Sequence, residues 1–491
     1  MSKAALGAIL GGLAIGAVTL SGAHDSDKTI AHVLNRVAFG ARPGDLERVR
    51  AIGVARYIDD QLHPERLTDP AMDTRLAEFA TLRMTSREIA EQFEIPLLKA
   101  RLAKRRAAVN EPVDGARNQL QTQPNPEEQR RANQVVMELS EQKLLRASSS
   151  ERQLQEVLVD FWFNHFNVDA RKGATRFLLT EYERDTIRPH VLGKFRDLLE
   201  ATAKSPAMLF YLDNWQNGRN GLNENYGREL MELHTLGVDG GYTQRDVTEV
   251  ARALTGWTIE KPRQGGGYRF DPRLHDAGEK TILGHVIRAG GGESDGEQVL
   301  DILARHPSTA RFIATALVRR FVSDTPPPAL VDRVAARFRQ SGGDLREVTR
   351  TILTSREFLS PDAYGAKMKT PFEFVVSAVR TTGAQIDNAG PLVRAMRELG
   401  MPLYLCQPPT GYKDTADAWV NTGALVGRMN FALDLASGKL PGIVIPSHEP
   451  TATATSLIDD FSDSTRATIG RATSEPQRIA LTLGSPEFQR R

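Results

Sequence analysis

Helical periodicity is the feature that most limits the folds open to this chain. From Glu128 to Val168, and again from Arg176 to Leu212, apolar residues recur at the spacing of one helix face, as in ERQLQEVLVDFWFNHFNV. Runs that alternate apolar and polar residues, which are typical of half-buried strands, are almost absent. The sequence therefore predicts a mainly α fold: a large multi-helix domain with irregular loops and at most a small β-hairpin, between Ile259 and Val286.

Composition excludes several classes of function. The 491 residues carry a net charge of +2, which gives no electrostatic footprint for a nucleic acid. Hydrophobic residues make up 40% and charged residues 25%, as in soluble proteins with a core. The one cysteine, Cys406, excludes a disulfide within the chain and any multi-cysteine metal site. We expect Cys406 to be a small buried side chain.

The N-terminal segment, residues 1–23, predicts that the protein is exported. Lys3 is followed by the apolar stretch Ala4–Leu20 and then by the small residues Ser21, Gly22 and Ala23. This order is typical of a cleavable signal peptide. The apolar stretch is short for a permanent membrane span. We therefore expect a periplasmic or extracellular protein that keeps no stable span after cleavage.

Changes in composition divide the rest of the chain. Residues 24–440 are predicted to form the helical domain, and residues 441–491 a C-terminal extension whose final helix packs on the same domain. Inside the domain, residues from about 107 to 129 are rich in Asn, Gln and Pro. That composition is typical of a mobile surface insertion.

The segment NENYGRELMELHTLG, from Asn223 to Gly237, carries the densest group of polar residues. On a helix Asn225, Glu229 and Glu232 share one side, while His234 points well away from it. We expect the helix to end at Gly237. An E-x-x-E pair can hold a metal in a helical bundle whose other helices supply histidines. Glutamates on a helix surface are also common members of structural networks, so both roles stay open.

The residues just before this helix, DNWQNGRNGLNE, have the length and several positions of a calcium-binding loop. Trp215 stands at the third position and Arg219 at the seventh. A tryptophan cannot ligate calcium, and the arginine would place positive charge beside the ion. We therefore predict an Asn-rich turn that caps the following helix.

Three histidines lie in other polar motifs. His165 sits among aromatic residues in FWFNHFNVD, where it is either a hydrogen-bonded core residue or a group whose pKa is displaced for acid–base work. His275 and Asp276 fall in a loop, and His306 precedes Pro307 as a helix N-cap would. The candidate catalytic residues are Glu229, Glu232 and His165. The candidate ligands of a divalent metal are His165, Glu229, Glu232, His275 and Asp276.

The motifs together resemble those of the DUF1800 family of exported bacterial proteins. The similar segments are IAHVLNRVAFGARPGDLERV, NENYGRELMELHTLGVDGGYTQRDVTEVARALTGWT, HDAGEKTILG, HPSTARFIATALVRRFVSD, LTSREFLS and AWVNTGALVGRMNF, in this order. Tyr226-Gly227 and Pro409–Tyr412 depart from the usual family residues. The resemblance implies an exported protein that is often encoded beside a member of the DUF1501 family, and it implies no established activity.

Two functions follow as hypotheses. In the first, the protein is a metal-assisted hydrolase that acts on extracellular or envelope material, because its motifs are dense in His, Glu, Asp and Asn. In the second, it is a non-catalytic binding or assembly protein that works with a co-encoded exported partner of the DUF1501 type. There the polar motifs would be buried hydrogen-bond networks that fix helix geometry.

Overall fold

The computed structural model describes residues 25–109, 126–446 and 461–491. Helices dominate these residues, which confirms the predicted mainly α class. The α-helices are α1 Asp27–Val37, α2 Asp45–Ile52, α3 Val54–Gln61, α4 Pro70–Leu76, α5 Ser86–Ile89, α6 Ile95–Val109, α7 Pro126–Ser149, α8 Gln153–His165, α9 Leu179–Glu181, α10 Phe195–Lys204, α11 Pro206–Tyr211, α12 Asn225–Glu229, α13 Gln244–Ala253, α14 Ser294–Arg305, α15 Pro307–Phe321, α16 Pro328–Gln340, α17 Leu345–Leu353, α18 Pro371–Thr381, α19 Gly390–Glu398, α20 Thr422–Ala436, α21 Asp463–Gly470 and α22 Glu475–Gly484.

Shorter helical segments join these elements. π-Helical turns cover Ala90–Glu94, Tyr182–Ile187 and Leu230–Thr235. The 3₁₀ turns are Pro64–Arg66, Ala80–Arg83, Thr175–Phe177, Arg188–His190, Asn214–Gln216, Pro361–Ala363 and Ala416–Ala418. A π turn adds one residue to a helical turn and rotates the side chains that follow it, so the third π turn changes the surroundings of the Glu229 motif.

The β structure is small but exceeds the one hairpin expected. Two antiparallel hairpins, β1 Trp257–Ile259 with β2 Tyr268–Phe270 and β3 Lys280–Ile282 with β4 His285–Ile287, lie where the hairpin was predicted. A third pair, β5 Gln385–Ile386 with β6 Ile443–Val444, joins distant parts of the chain. A pairing of two-residue strands leaves no periodic signal in a sequence.

Local sequence explains where many helices begin. Thr243 and Thr370 open α13 and α18 as capping boxes, each accepting the backbone N–H three residues on. The predicted cap at His306 is confirmed: its ring accepts the N–H of Ser308, and Pro307 is the first residue of α15. These caps satisfy N–H groups that have no partner inside the helix.

The long helix predicted from Glu128 to Val168 is broken at its middle. α7 ends at Ser149 and α8 begins at Gln153. Ser150 donates a hydrogen bond of 2.6 Å to the carboxylate of Asp69, which also accepts the N–H of Glu151 at 3.1 Å. The break is therefore held by a residue 81 positions away in the chain.

The larger of two described apolar clusters runs from α1 to the C-terminal residues, and the smaller includes Phe93 and Phe177. Trp162 of α8 is fully buried in the larger cluster. Cys406 is buried, as predicted, and its burial raises the pKa of the thiol to about 11. Near the C-terminus, Lys367 and Arg491 exchange two backbone hydrogen bonds, which tie the last residues to the segment before α18.

Several predictions from the sequence fall outside the described residues. They are the signal peptide at residues 1–23 and residues 110–125 of the predicted insertion. Residues 126–129 of that insertion form the first turn of α7. Within the described part of the chain, no helix combines the length and apolar character that a membrane crossing requires.

Candidate functional site

The polar motif from Asn223 to Gly237 forms α12 and the π turn that continues it. Tyr226, Leu230 and Met231 are buried and fix the inner face of this helix. The hydroxyl of Thr235 donates to the carbonyl of Leu230 at 2.6 Å, inside the wide turn. The helix ends at Thr235, two residues before the predicted end at Gly237, whose φ is 81°. A Cβ there would lie 2.8 Å from the ring of Phe312, so only glycine fits.

Four asparagines in and after the turn that precedes α12 form hydrogen bonds with backbone groups. Asn214 donates to the carbonyls of Leu254 and Trp257, and Asn217 donates to that of Ala251 at 2.8 Å. Asn223 accepts the N–H of Asn225 at 3.0 Å. Asn225, the first member of the predicted stripe, donates to the carbonyl of Leu212 at 3.1 Å. Each amide thus satisfies a backbone group, and the turn holds α12 against the core.

Glu229 and Glu232 have side chains without a described partner, as does the buried ring of His234. Both glutamates are half-buried, and neither makes a hydrogen bond or an ion pair with another described residue. Arg228 forms no ion pair with either, because its guanidinium binds Glu224 at 3.4 Å and Gln244 at 2.9 Å, and its charge offsets only part of the rise in the pKa of Glu229. Burial raises the pKa of Glu229, and the like charge of Glu232 raises it further. The pair is therefore a desolvated carboxylate couple, on one side of the helix as the periodicity predicts.

Two tyrosines that sequence reasoning missed lie beside this couple. Burial raises the pKa of Tyr211, and the nearby charge of Glu229 contributes to the shift. Burial, followed by the charge of Glu232, raises the pKa of Tyr242. Tyr211 lies at the end of α11, and its hydroxyl donates to the carbonyl of Gln407 at 2.6 Å. Since these contacts join segments distant in sequence, periodicity gives no signal for them.

His165 lies behind the helix, on the core side. Its Nε2 is 3.1 Å from the carbonyl oxygen of His234, so the ring donates its proton there. Burial lowers the pKa of His165 to about 4 and that of His234 to about 3, so both rings are neutral at pH 7. The prediction that His234 points away from the glutamates is confirmed, since it is buried against His165 and Phe166.

His275 and Asp276 occupy a different cluster, between α13, β3 and α14. His275 is buried, with Nδ1 2.8 Å from the carbonyl oxygen of Thr255 and Nε2 3.1 Å from the Asp295 carboxylate. Asp276 accepts two hydrogen bonds from Arg252, at 2.8 and 3.1 Å. Those bonds lower the pKa of Asp276 to about 2. Both residues fix the loop that leads into β3.

The structure thus brings the two glutamates together and places the other candidates elsewhere. His165 belongs to the aromatic core behind the helix, and His275 and Asp276 belong to the cluster around Asp295. Over residues 25–109, 126–446 and 461–491, no three His, Cys, Asp or Glu side chains are grouped so that they could hold a metal ion. The metal site assembled from all five candidates stays a prediction.

A cavity of about 730 Å³ lies elsewhere again. It is bounded by α1, by the residues after α17, by α18 and by the C-terminal residues. None of the sequence-predicted site residues lines it. Its polar lining includes Asn35, Lys369 and Ser377, which sequence reasoning did not select because the elements that carry them meet only in the folded chain.

The fold and the site define a mainly α protein with a desolvated carboxylate couple on a helix widened by a π turn. The chain belongs to the DUF1800 family: the model of that family, described as a protein of unknown function, matches residues 32–490. Comparison with curated proteins and with solved structures finds no match.

Proposed function

We propose that this protein is an exported hydrolase that acts on extracellular or envelope material, with Glu229 and Glu232 as its acid–base couple. The observation that carries the proposal is the contrast within one motif. Asn214, Asn217, Asn223 and Asn225 satisfy backbone groups, whereas the two carboxylates are half-buried without a described partner. Carboxylates kept in such a position are a frequent mark of a functional site.

The chemistry follows from the like charge of the couple. Burial and the neighbouring charge of Glu232 favour the protonated form of Glu229 by raising its pKa. A carboxyl group with a raised pKa beside a second carboxylate supplies the two groups that general acid–base hydrolysis needs. The same two carboxylates would supply anionic oxygens to a divalent ion such as Mg²⁺, with water and substrate oxygens as its remaining ligands.

His165 supports this couple from behind. Its hydrogen bond to the carbonyl of His234 fixes the π turn that contains Glu232. Because the ring is neutral and buried, it positions the helix without adding a charge that would pull the proton from Glu229. His165→Ala should therefore lower both stability and activity.

Glu229→Gln is expected to raise the melting temperature at pH 8 by about 1–2 °C. The folded-state pKa of Glu229 lies above its ordinary value of 4.5, so its contribution to stability is present below pH 4.5 and is lost as pH rises through the folded-state pKa. The variant removes this cost at pH 8 and gains little at pH 4. Thermal unfolding at both pH values measures it.

Glu224→Gln is the matched control for this prediction. Glu224 lies on the same segment, but its carboxylate is bonded to Arg228, Gln244 and Thr248. Its replacement should lower the melting temperature. If Glu229→Gln lowers it as well, Glu229 belongs to a structural network and the proposed acid–base role is wrong.

Hydrolysis itself is tested on the purified mature protein with ester, peptide and polysaccharide substrates. Glu229→Gln and Glu232→Gln should each lower the rate by about 100-fold or more, the usual contribution of a general acid or base. Metal content is measured in parallel. Stoichiometric metal that is lost in Glu229→Ala supports metal assistance, and activity that persists in both glutamine variants contradicts the assigned couple.

A second candidate function is binding or assembly with an exported partner of the DUF1501 type. It is favoured by an apolar stripe on α20, whose members Leu425, Val426, Met429 and Leu433 are 39–55% exposed. Their spacing puts them on one side of the helix, while Phe431, Ala432 and Leu435 are buried. An exposed apolar face of this kind is typical of a protein–protein contact.

The double variant Val426→Glu/Leu433→Glu is expected to abolish a complex with the co-produced partner, because two charges would be buried in the contact. Size-exclusion chromatography of the co-expressed pair measures it. Asp434→Ala, on the same helix, should leave the complex intact. A complex that survives both glutamate substitutions excludes the α20 stripe as the contact surface.

A further inference from the structure

The 730 Å³ cavity contains a second group of polar residues, which is separate from the Glu229 couple. Lys369 immediately precedes the N-cap of α18, and Ser377 lies two turns into that helix. Both side chains line the cavity, and the Nζ atom of Lys369 is 2.9 Å from the Oγ atom of Ser377. The lysine side chain thus runs along the first turns of α18 to reach the serine.

Lys369 is a buried amine without an ion-pair partner. It is 4% exposed, and no described carboxylate lies within ion-pair distance of Nζ. Its pKa is lowered to about 7, chiefly by burial; the charge of Glu373 opposes this shift, and the charges of Arg428 and Arg491 add to it. The ring of Phe488, 3.8 Å from Nζ, also favours the charge. Near pH 7 a large fraction of the amine is therefore uncharged.

Ser377 is placed as a nucleophile would need to be. Its hydroxyl oxygen accepts from Lys369, and no other described residue binds it. The loop after α1 passes directly over the hydroxyl at Gly40, where φ is 100° and a Cβ would lie 2.8 Å from Oγ. The side-chain oxygen of Asn35 would lie 3.5 Å from that same Cβ position. Glycine at this position keeps the space above the serine open.

Two polar groups beside the serine are unused. The amide of Asn35, which lines the cavity, makes no hydrogen bond with a described residue. His32 is 4% exposed and also lines the cavity; its Nε2 is 2.8 Å from the carbonyl oxygen of Phe358, and its Nδ1 has no partner among the described residues. Buried polar atoms are normally satisfied, so the unpartnered Nδ1 atom of His32 points to a ligand.

We propose that Ser377 and Lys369 are the nucleophile and the general base of a hydrolytic site that cleaves a small carboxylic ester or amide held in this cavity. The uncharged amine of Lys369 takes the proton of Ser377 as Oγ bonds to the carbonyl carbon. The electron pair of the carbonyl moves to its oxygen, which the NH₂ group of Asn35 stabilises by a hydrogen bond once that amide has turned to exchange its oxygen and nitrogen.

The remaining steps return both residues to their starting state. The ammonium of Lys369 gives its proton to the leaving alcohol or amine as the bond to the carbonyl carbon breaks, and an ester of Ser377 is formed. Water then attacks that ester, passing a proton to Nζ, and the carboxylic acid leaves as Ser377 regains its proton. One water is consumed, and no oxidant or reductant is needed.

A fluorophosphonate probe tests the dyad on the full mature chain, because it reacts much faster with an activated serine than with an ordinary one. Mass spectrometry should find one label, on Ser377. The labelling rate should rise with pH through about 7, as Lys369 loses its proton. Ser377→Ala and Lys369→Met should each lower the rate by about 100-fold or more.

Matched variants distinguish reaction at this dyad from reaction elsewhere on the protein. Thr381→Ala, on the same helix and cavity wall, and Glu229→Gln should label within about twofold of the parent rate. A label on another residue, or a rate unchanged in Lys369→Met, overturns the proposal.

Should Ser377→Ala fail to fold, Ser377→Cys keeps the side-chain size. Its thiol should be alkylated by iodoacetamide with the same pH dependence, and a thiol that stays unreactive overturns the proposal. If hydrolysis is lost in Glu229→Gln but persists in Ser377→Ala and Lys369→Met, the hydrolytic activity belongs to the carboxylate couple and the dyad proposal is overturned.

Discussion

Glu373→Gln is expected to lower the free energy of unfolding by about 3–5 kcal/mol. Glu373 is buried in the first turn of α18, and its Oε1 contacts Arg320 at 2.5 Å and Arg491 at 2.9 Å. Both guanidiniums are buried as well. Removing the carboxylate leaves two buried cations without their main counter-charge, which costs far more than the loss of a surface pair. Urea unfolding at pH 7 measures the difference.

The pH dependence of stability provides a second readout for this residue. Burial opposes ionisation of Glu373, but Arg320 and Arg491 outweigh it and lower its pKa below the ordinary 4.5. A lowered pKa stabilises the fold above pH 4.5, and this contribution is lost as pH falls through the folded-state pKa. Glu373→Gln should therefore lose part of the acid sensitivity of the parent protein.

Asp332→Asn is the control for Glu373→Gln. Asp332 pairs with Arg311, but both side chains are 61% exposed. Exposed pairs contribute about 0–1 kcal/mol. If Glu373→Gln costs no more than this control, the buried cations are compensated by other groups, and the central place of Glu373 in the cluster is wrong.

The same cluster bears on the proposed dyad. Lys369 precedes the helix that Glu373 caps, and Arg428 donates to the backbone carbonyl of Lys369 at 2.7 Å. The positive charges of Arg428 and Arg491 disfavour a further positive charge on the amine of Lys369. Glu373 forms an ion pair with Arg491, and Arg491 lowers the pKa of Lys369. The cluster that stabilises the fold therefore also affects the protonation of the amine in the proposed dyad.

Local signals in the sequence predicted the helices and their caps well. Periodicity and the His306–Pro307 pair are read within a few residues, so they predicted α15 and its first turn. The break between α7 and α8 could not be predicted, since Asp69 creates it from outside the helix. The π turn after Glu229, in which Leu230 and Met231 are buried, is not described by a periodicity of 3.6 residues per turn.

The candidate-site residues show the same difference between features that are local in sequence and features that depend on the tertiary fold. Glu229 and Glu232 share one helix, so their spacing predicted that they would be neighbours. His165 and His275 lie on separate elements, and the sequence carried no information on whether those elements meet. Lys369 and Ser377 are eight positions apart, yet their proposed role depends on α1 closing a cavity above them, which only the tertiary fold shows.

Asp295→Asn is expected to cost about 3–5 kcal/mol of folding free energy. Asp295 and Lys280 have fully buried side chains, joined by an ion pair of 2.7 Å. The same carboxylate oxygen of Asp295 lies 3.1 Å from Nε2 of His275. With asparagine in its place, the ammonium of Lys280 keeps two carbonyl acceptors but loses its counter-charge. Urea unfolding at pH 7 measures the loss.

A double variant separates the charge from the packing in this cluster. Lys280→Met/Asp295→Asn removes the uncompensated ammonium, so it should recover much of the stability lost in the single variant. Asp301→Asn, on the exposed side of the same helix, should cost less than about 1 kcal/mol. No recovery in the double variant would mean that the lost hydrogen bonds, rather than the uncompensated charge, set the cost.

The cluster also tests the predicted metal role of His275 and Asp276. A divalent ion bound there would raise the melting temperature of the parent protein and not that of Asp276→Asn.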